Sequence, residues 1–549
     1  DGIRDGIVRL VGSEMCIRDS PLRVVRYFDD EAMSRRVWGI RLPGVPELGR
    51  RGWPMMMSRL SGLARRAFLA VVYSTSGAVA VSLIVFVVYM NGRPDLAVWH
   101  LVDLDEEFSA DSKIDSFAGY FALEERVFKQ LDELVYAKIS PAQRTQVNRY
   151  HRRSLSDPQR WEPNWNRTFE LRKPDPRVGV LLLHGMSDSP YSLRQLGQRL
   201  QASGAHVLGL RMPGHGTAPT GLVELAWQDM AAATRLAMRH LAEQNPGRPL
   251  YIVGYSTGAA LAVHYALAAL ENQALPRVER IVLLSPAIGV SAVAAFAVWQ
   301  ARLGHLLGLD KLAWNLILPE YDPFKYASFA VNAGDVVYQL TNEIQQRIDR
   351  LGSAGKLGDL PPILAFSSLV DATVSTPALI NGLFSRIPPG GHELVLFDIN
   401  REAEIEPLMN RDTGATVTDL LKGTDHHFSL TMVTNKTAES LDVVIMSKSP
   451  GEERPTVVDA GLSWSDSQYS LSHVALPFAP DDPLYGGRTL EESPGISIGD
   501  IALRGERGVL QISASDMLRL RWNPFYAFVE HRLLDFVGLG TSQDSGGEL

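Results

Sequence analysis

The chain has 549 residues, of which 45% are hydrophobic and 21% charged, and its formal net charge is -8. This balance is typical of a globular protein that is long enough for one large domain or two medium ones. The mild acidity, with no basic run beyond the N-terminal region, argues against a nucleic-acid partner.

Residues 1–20 do not read as part of a natural fold. The segment from Leu10 to Ser20 resembles the translation of a transposon-end adapter used in sequencing libraries, so we expect an assembly artefact. The single cysteine, Cys16, lies inside it. We therefore expect the protein proper to lack disulfides, a thiol nucleophile and a cysteine-ligated metal. The expected start is Met33 or the cluster 55–57, and we favour the cluster.

The residues from Ala67 to Met90 contain no charged side chain. At about 1.5 Å per residue, a helix of this length spans the roughly 30 Å hydrocarbon core of a bilayer. Arginines are concentrated before it, at Arg59, Arg65 and Arg66. We therefore expect a single-pass transmembrane anchor with a cytoplasmic N-terminus and the rest of the chain on the periplasmic or extracellular side. A cleavable signal peptide is the alternative, but its apolar region would be shorter and would end in small residues.

Residues 96–160 are predicted to form a helical spacer. Between Phe117 and Tyr136 apolar residues recur at spacings of three and four, which indicates an amphipathic helix. We expect this helix to pack on the main domain, residues 161–549, and to separate that domain from the membrane.

Predicted strands and helices alternate in the main domain. Strands are expected at 167–171, 178–183, 205–210, 249–253, 280–284, 363–368 and 393–398, with helices such as 192–203 and 223–244 between them. The alternation predicts an α/β fold, a mostly parallel sheet with helices on both faces. Residues 288–330 interrupt this alternation because they form an aromatic-rich segment that is predicted to be helical. We interpret the segment as a cap over the site or, alternatively, as a further pair of core helices. Strand-like runs at 428–433 and 441–446 and a helix at 525–536 follow.

The most informative motif is Gly254-Tyr255-Ser256-Thr257-Gly258. An aromatic and β-branched run precedes it and an alanine-rich apolar run follows, so it reads as strand, sharp turn and helix. Glycines flank the serine where a Cβ would collide with the strand or the helix. The turn would hold the hydroxyl of Ser256 at the carboxyl edge of the sheet, and the N–H of Thr257 would face a developing oxyanion. Ser256 is therefore the candidate nucleophile, with an ordinary tight turn as the alternative.

Two further motifs end the preceding strands. Gly185 follows His184 and allows a turn in which the N–H of Met186 can face the same point as that of Thr257, giving a two-donor oxyanion hole. A Gly-His-Gly motif lies within residues 211–219.

This succession of motifs over residues 165–480 resembles the α/β-hydrolase superfamily. More narrowly, it resembles the branch of carboxylesterases, monoacylglycerol lipases and lysophospholipase-like enzymes. The resemblance implies a serine hydrolase with a Ser–Asp–His triad and no metal, and we expect no cofactor. The expected substrate is a small-molecule or lipid ester, because the aromatic cap and the membrane anchor favour an apolar acyl group.

The triad acid is expected after a late strand. Asp371 ends an apolar strand and precedes a turn of small residues, so we assign it this role. A helix N-cap or turn acceptor is the alternative interpretation of Asp371, and Asp398 is the second candidate acid.

The triad histidine is harder to assign, because no histidine closely follows residues 397–400 at the end of the last strand. His473 lies among small and apolar residues that could pack it against the serine, whereas His426 and His427 lie in a polar segment. We favour His473 as the base. The remaining histidines in the motifs and loops, His184, His215 and His392, are interpreted as structural or loop residues.

Two other functions remain open at this point. A non-catalytic envelope-anchored binding protein could retain the same fold, and an acyltransferase could use the same serine with an alcohol in place of water.

Overall fold

The computed structural model describes residues 53–289, 309–410, 412–423, 426–487, 493–499 and 511–540. The predictions for residues 1–20 and for part of the cap, 290–308, fall outside these ranges. The chain divides into two compact units, Asp1–Ile84 and Val85–Leu549.

The N-terminal region is described from helix α1, Trp53–Gly92, which includes the uncharged run. Its part Ala64–Gly92 has 29 residues and a hydropathy of 2.2, and none of it is buried. Large apolar side chains such as Phe68, Val81 and Ile84 are more than half exposed. By length and composition, this is a helix that could cross a membrane.

The second unit contains the remaining described elements. Its helices are α2 (Phe117–Leu134), α3 (Arg194–Ala202), α4 (Trp227–Gln244), α5 (Thr257–Glu271), α6 (Val331–Ser353), α7 (Thr376–Leu379), α8 (Thr413–Lys422), α9 (Ala514–Met517) and α10 (Tyr526–Phe536). Its strands are β1 (Phe169–Leu171), β2 (Val178–Leu183), β3 (Ala205–Leu210), β4 (Leu250–Tyr255), β5 (Arg280–Leu284), β6 (Trp314–Leu316), β7 (Phe329–Ala330), β8 (Ile363–Ser368), β9 (Glu393–Phe397), β10 (Ser429–Asn435), β11 (Asp442–Lys448) and β12 (Thr456–Ser463).

Among the described strands, ten form one sheet in the order β1-β3-β2-β4-β5-β8-β9-β10-β11-β12. All neighbours from β3 to β10 in this order are parallel, and β1, β11 and β12 are added antiparallel at the two edges. The expected α/β-hydrolase arrangement, a mostly parallel sheet, is therefore confirmed.

The sheet is buried on both faces because each central strand is apolar along its whole length. In β2, Leu181 and Leu183 join one hydrophobic core, and Val180 and Leu182 join a second core on the opposite face. Side chains alternate across a strand, so a continuous apolar run supplies both cores at once.

The predicted spacer helix α2 packs on the sheet domain through a polar network as well as through apolar contacts. Its Tyr120 hydroxyl donates to the carbonyl of Arg211 over 2.6 Å, and its Glu124 carboxylate accepts from Thr168 over 2.7 Å and from Arg211 over 3.2 Å. Burial raises the pKa of Glu124, whereas the Arg211 charge and the Thr168 hydrogen bonds lower it. This network fixes the loop after β3, which contains the Gly-His-Gly motif.

The described part of the predicted cap, residues 309–330, differs from the helical expectation. It contains a short 3-10 turn, Asp310–Ala313, and a two-stranded antiparallel sheet of β6 and β7, with no α-helix in that stretch. Pro319 and Pro323 lie between these strands, and proline removes the backbone donor that a helix interior requires.

Candidate active site

Ser256 occupies the turn between β4 and α5 in a strained conformation. Its φ and ψ are 54° and −114°, a region that non-glycine residues rarely adopt. A Cβ on Gly258 would collide with the carbonyl oxygens of Leu183 and His184, and one on Gly254 would collide with the backbone of Ala259. The two glycines are therefore required for β2, β4 and α5 to approach so closely that the serine is held at the apex.

His473 contacts the serine from a distant part of the chain. Its Nε2 lies 3.1 Å from the Oγ of Ser256, a hydrogen-bond distance. The histidine begins a 3-10 turn, His473–Ala475, and its side chain is only 5% exposed. Tyr255, the residue before the serine, donates from its hydroxyl to the carbonyl of His473 over 3.4 Å. The imidazole of His473 is thus packed against the turn that carries the serine.

Asp371 completes the hydrogen-bonded chain from the end of β8. Its Oδ2 lies 2.9 Å from Nδ1 of His473, and its Oδ1 accepts from the backbone N–H groups of Thr373 and Val374 at 2.8 and 2.9 Å. Burial raises the pKa of the Asp371 carboxyl, but the hydrogen bonds from His473, Val374 and Thr373 outweigh burial and hold it below its ordinary value. The carboxylate is therefore ionised when the imidazole is neutral, and it selects the tautomer with a free Nε2 facing the serine.

The two expected oxyanion donors flank the serine. Thr257 begins α5, so its N–H points out of the helix N-terminus. Met186 follows Gly185, where a Cβ would lie 3.2 Å from the Cβ of Ser256. Neither N–H donates a hydrogen bond to any residue that the structure describes. Both N–H groups are therefore without an acceptor in the described part of the chain.

The alternative site residues lie in other interactions. Asp398 pairs with Arg401 at 2.9 Å and accepts from Thr434 at 2.7 Å. His426 contacts the carbonyl of Leu420 at 3.2 Å, and His427 is exposed. In the described parts of the chain, none of the three is hydrogen-bonded to Ser256.

The motif histidines hold backbone turns. Nε2 of His184 accepts from the N–H of Met212 at 3.1 Å, and Nδ1 of His215 lies 2.8 Å from the carbonyl of Pro213. Burial lowers the pKa of His184 well below its ordinary value and that of His215 to about 4, so both stay neutral at physiological pH.

Sequence reasoning missed the contacts of Tyr326. Its backbone N–H donates to the carbonyl of Ser187 at 2.7 Å, next to Met186, and its hydroxyl accepts from the N–H of Thr217 at 2.8 Å. A single residue of the predicted cap thus binds both glycine-containing loops. The aromatic enrichment of 288–330 marked the segment, but nothing in the sequence indicated which aromatic would make these bonds.

Comparisons with known proteins give a partial match. Residues 174–346 match the family model described as serine aminopeptidase, S33. A thermostable monoacylglycerol lipase from Bacillus sp. (strain H-257) is 25% identical over 241 residues, 44% of this chain and 84% of that protein. The family match includes Met186 and Ser256 and ends before Asp371 and His473.

Solved structures that match part of the chain include lipolytic enzymes. A metagenome-derived lipolytic enzyme is 23% identical with a TM-score of 0.32, covering 43% of this chain and 87% of that chain. The monoacylglycerol lipase of Paleococcus ferrophilus is 19% identical with a TM-score of 0.32, covering 42% of this chain and 88% of that chain.

Proposed function

Because this chain is an esterase- and lipase-like member of the α/β-hydrolase superfamily, we propose that it hydrolyses carboxylic esters with Ser256, His473 and Asp371 as its catalytic triad. The observation that carries the proposal is the continuous hydrogen-bonded chain in which His473 bridges Ser256 and a buried, ionised Asp371. A non-catalytic binding module would have no need for a strained serine aligned with a base and an acid.

In the first half-reaction, Nε2 of His473 takes the proton of the Ser256 hydroxyl as Oγ attacks the ester carbonyl carbon. The carbonyl oxygen becomes an oxyanion, which accepts hydrogen bonds from the N–H groups of Met186 and Thr257. The imidazolium then gives its proton to the alcohol oxygen, the C–O bond breaks, and an acyl-enzyme remains on Ser256.

In the second half-reaction, water replaces the departed alcohol. His473 removes a proton from the water as its oxygen attacks the acyl carbon, and the same two N–H groups hold the second oxyanion. The proton returns to Oγ of Ser256 and the carboxylic acid leaves. Asp371 stays ionised throughout and stabilises the imidazolium that forms in each half-reaction.

We propose a lipid or acylglycerol ester as the substrate class. The cavity lined in part by Val474, the residue after His473, has further apolar side chains in its wall, including Leu316, Leu318 and Phe478, which suit a hydrocarbon chain. The related protein from Bacillus is named a monoacylglycerol lipase.

The decisive experiment is to trap the acyl-enzyme. We expect the purified protein to release fatty acid from a monoacylglycerol, and acid quenching during turnover to leave the acyl group on the peptide that contains Ser256, detected by mass spectrometry. Release without any acyl group on Ser256 would contradict the mechanism. Adding a primary alcohol separates hydrolysis from acyl transfer, because a transferase would convert most of the acyl group into the new ester.

We also propose that α1 anchors the protein in a membrane with the second unit on the non-cytoplasmic side. The uncharged helix and the arginines before it support this orientation. We expect the full chain, expressed in bacteria, to sediment with membranes and to resist extraction by high salt and alkali, while residues 93–549 stay soluble. Protease added to spheroplasts should digest the second unit; protection of that unit would reverse the topology, and a soluble full chain would refute the anchor.

A further inference from the structure

A cavity of about 160 Å³ is lined by chain neighbours of the proposed triad, although no triad residue forms part of its wall. Val474, the residue after His473, forms part of its wall, and so does Tyr326. Tyr326 is in turn hydrogen-bonded to Ser187, the residue after the oxyanion donor Met186. A group bound in this cavity therefore contacts Val474, which follows the proposed base, and Tyr326, which is bonded to the oxyanion loop.

Three cationic side chains line the same cavity, Lys325, Arg519 and Arg521. Arg519 reaches toward the triad acid, since its Nη2 donates to the Oγ1 of Thr373 over 3.1 Å, in the turn that follows Asp371. The charges of Arg519 and Arg521 also act on the Lys325 ammonium. The cations form one cluster rather than three separate surface charges.

These cations lack direct counter-ions within the described ranges, where no carboxylate is in ion-pair contact with any of them. Two aspartates share the cavity wall, and Asp322 acts on Lys325 and Arg521 through its charge, but the hydrogen bonds of both carboxylates go to other groups. Asp322 accepts from the hydroxyl of Tyr485 at 2.7 Å and from the N–H of Phe324 at 2.9 Å. Asp516 accepts from the hydroxyl of Ser513 at 2.7 Å.

The guanidinium group of Arg521 has an N–H donor without an acceptor. Its Nε is buried with no hydrogen-bond partner among the described residues, and its Nη2 makes only long contacts, 3.4 Å to the Tyr321 hydroxyl and 3.3 Å to the carbonyl of Asp516. A buried guanidinium N–H without a partner is costly, and a guanidinium fork matches a carboxylate or a phosphate.

The Lys325 ammonium is surrounded by charges of both signs. Burial and the charges of Arg519 and Arg521 lower the pKa of Lys325, although the carboxylates of Asp188 and Asp322 raise it. An anion in the cavity would stabilise the protonated amine as well as the two guanidinium groups.

We propose that this cavity is an anion-binding site for the ester substrate, in which Lys325, Arg519 and Arg521 hold a phosphate or carboxylate that the substrate carries. The inference rests on the proposed ester hydrolysis and narrows its substrate class. Apolar side chains such as Leu318 and Phe478 line the rest of the wall, so the site suits an amphiphilic ester with both a hydrocarbon portion and a negative group.

The test compares matched neutral and anionic esters. The first pair is the neutral ester p-nitrophenyl butyrate and mono-p-nitrophenyl glutarate, which carries a terminal carboxylate. The second pair is a neutral monoacylglycerol and its 3-phosphate, which has the same acyl chain. We expect wild-type kcat/KM to favour the anionic member of at least one pair by about tenfold or more, the usual effect of charge-assisted hydrogen bonds. The pair with the larger preference identifies the anion as carboxylate or phosphate.

The variants are Lys325→Gln, Arg519→Gln and Arg521→Gln, each of which keeps much of the side-chain volume and removes the charge. Each should lower the anionic-to-neutral ratio of kcat/KM by about tenfold or more, the effect of losing one hydrogen bond to a charged group. Arg172→Gln, whose arginine is largely exposed and pairs with Glu170, is the matched control and should retain the wild-type ratio.

Two failures are distinguishable. If wild type hydrolyses the esters without preferring an anion and the variants keep its ratio, the anion site is wrong and the hydrolase remains. If none of the four esters is cleaved, the proposed hydrolysis fails and the substrate inference fails with it.

Discussion

Replacing Ser256 with alanine should lower kcat for ester hydrolysis by roughly 10⁴- to 10⁶-fold, the loss that follows when a triad member is removed. Without Oγ no acyl-enzyme can form, so only the oxyanion donors and substrate binding remain to accelerate the attack of water. The measurement is hydrolysis of p-nitrophenyl butyrate, together with labelling by a fluorophosphonate probe that reacts with activated serines. Wild type should be labelled and Ser256→Ala should not.

Ser285 offers a matched control for this experiment. It follows β5 as Ser256 follows β4, it is buried, and its φ of 41° is also positive. However, its hydroxyl has no hydrogen-bond partner among the described residues, so it lacks a base. Ser285→Ala should keep wild-type labelling and activity; equal labelling of wild type and Ser256→Ala would contradict the assignment of the nucleophile.

Replacing His473 with alanine should be about as damaging as loss of the serine, because members of a triad act as one unit. Asp371→Asn should lower kcat by roughly 10⁴-fold, since an amide no longer stabilises the imidazolium or selects the correct tautomer. Both effects are measured as kcat for a short-chain ester. Unfolding temperatures should be recorded in parallel, because the Asp371 carboxylate also accepts hydrogen bonds from Thr373 and Val374.

The other two candidate histidines provide the controls. His427 is exposed, and His426 contacts only the carbonyl of Leu420 among its described hydrogen bonds. Their alanine variants should therefore retain nearly normal kcat. If one of them were inactive while His473→Ala retained activity, the base would be misassigned, although Ser256 could still be the nucleophile.

Much of the fold was readable from the sequence because its signals are local. The continuous apolar runs that became β2 and β8 predict strands buried on both faces without knowledge of their neighbours. The edge strand β12 was missed, because most of its residues face solvent and its sequence has no apolar run. The described part of the cap was also misjudged, since its short strands pair with each other between prolines.

The sequence by itself determined the nucleophile candidate and the oxyanion loop. The strained turn is recognisable from the glycines within two residues of the serine, and its recognition requires no residue from a distant part of the chain. Only the tertiary structure brings His473 into contact with Ser256 and Asp371, since His473 lies 217 positions from Ser256 and 102 from Asp371. Periodicity and local propensity carry no information across such separations. The cationic cavity could not be predicted from the sequence for the same reason. Lys325 lies in one segment and Arg519 and Arg521 in another, and only the packing of these two segments brings the three charges into one cavity wall.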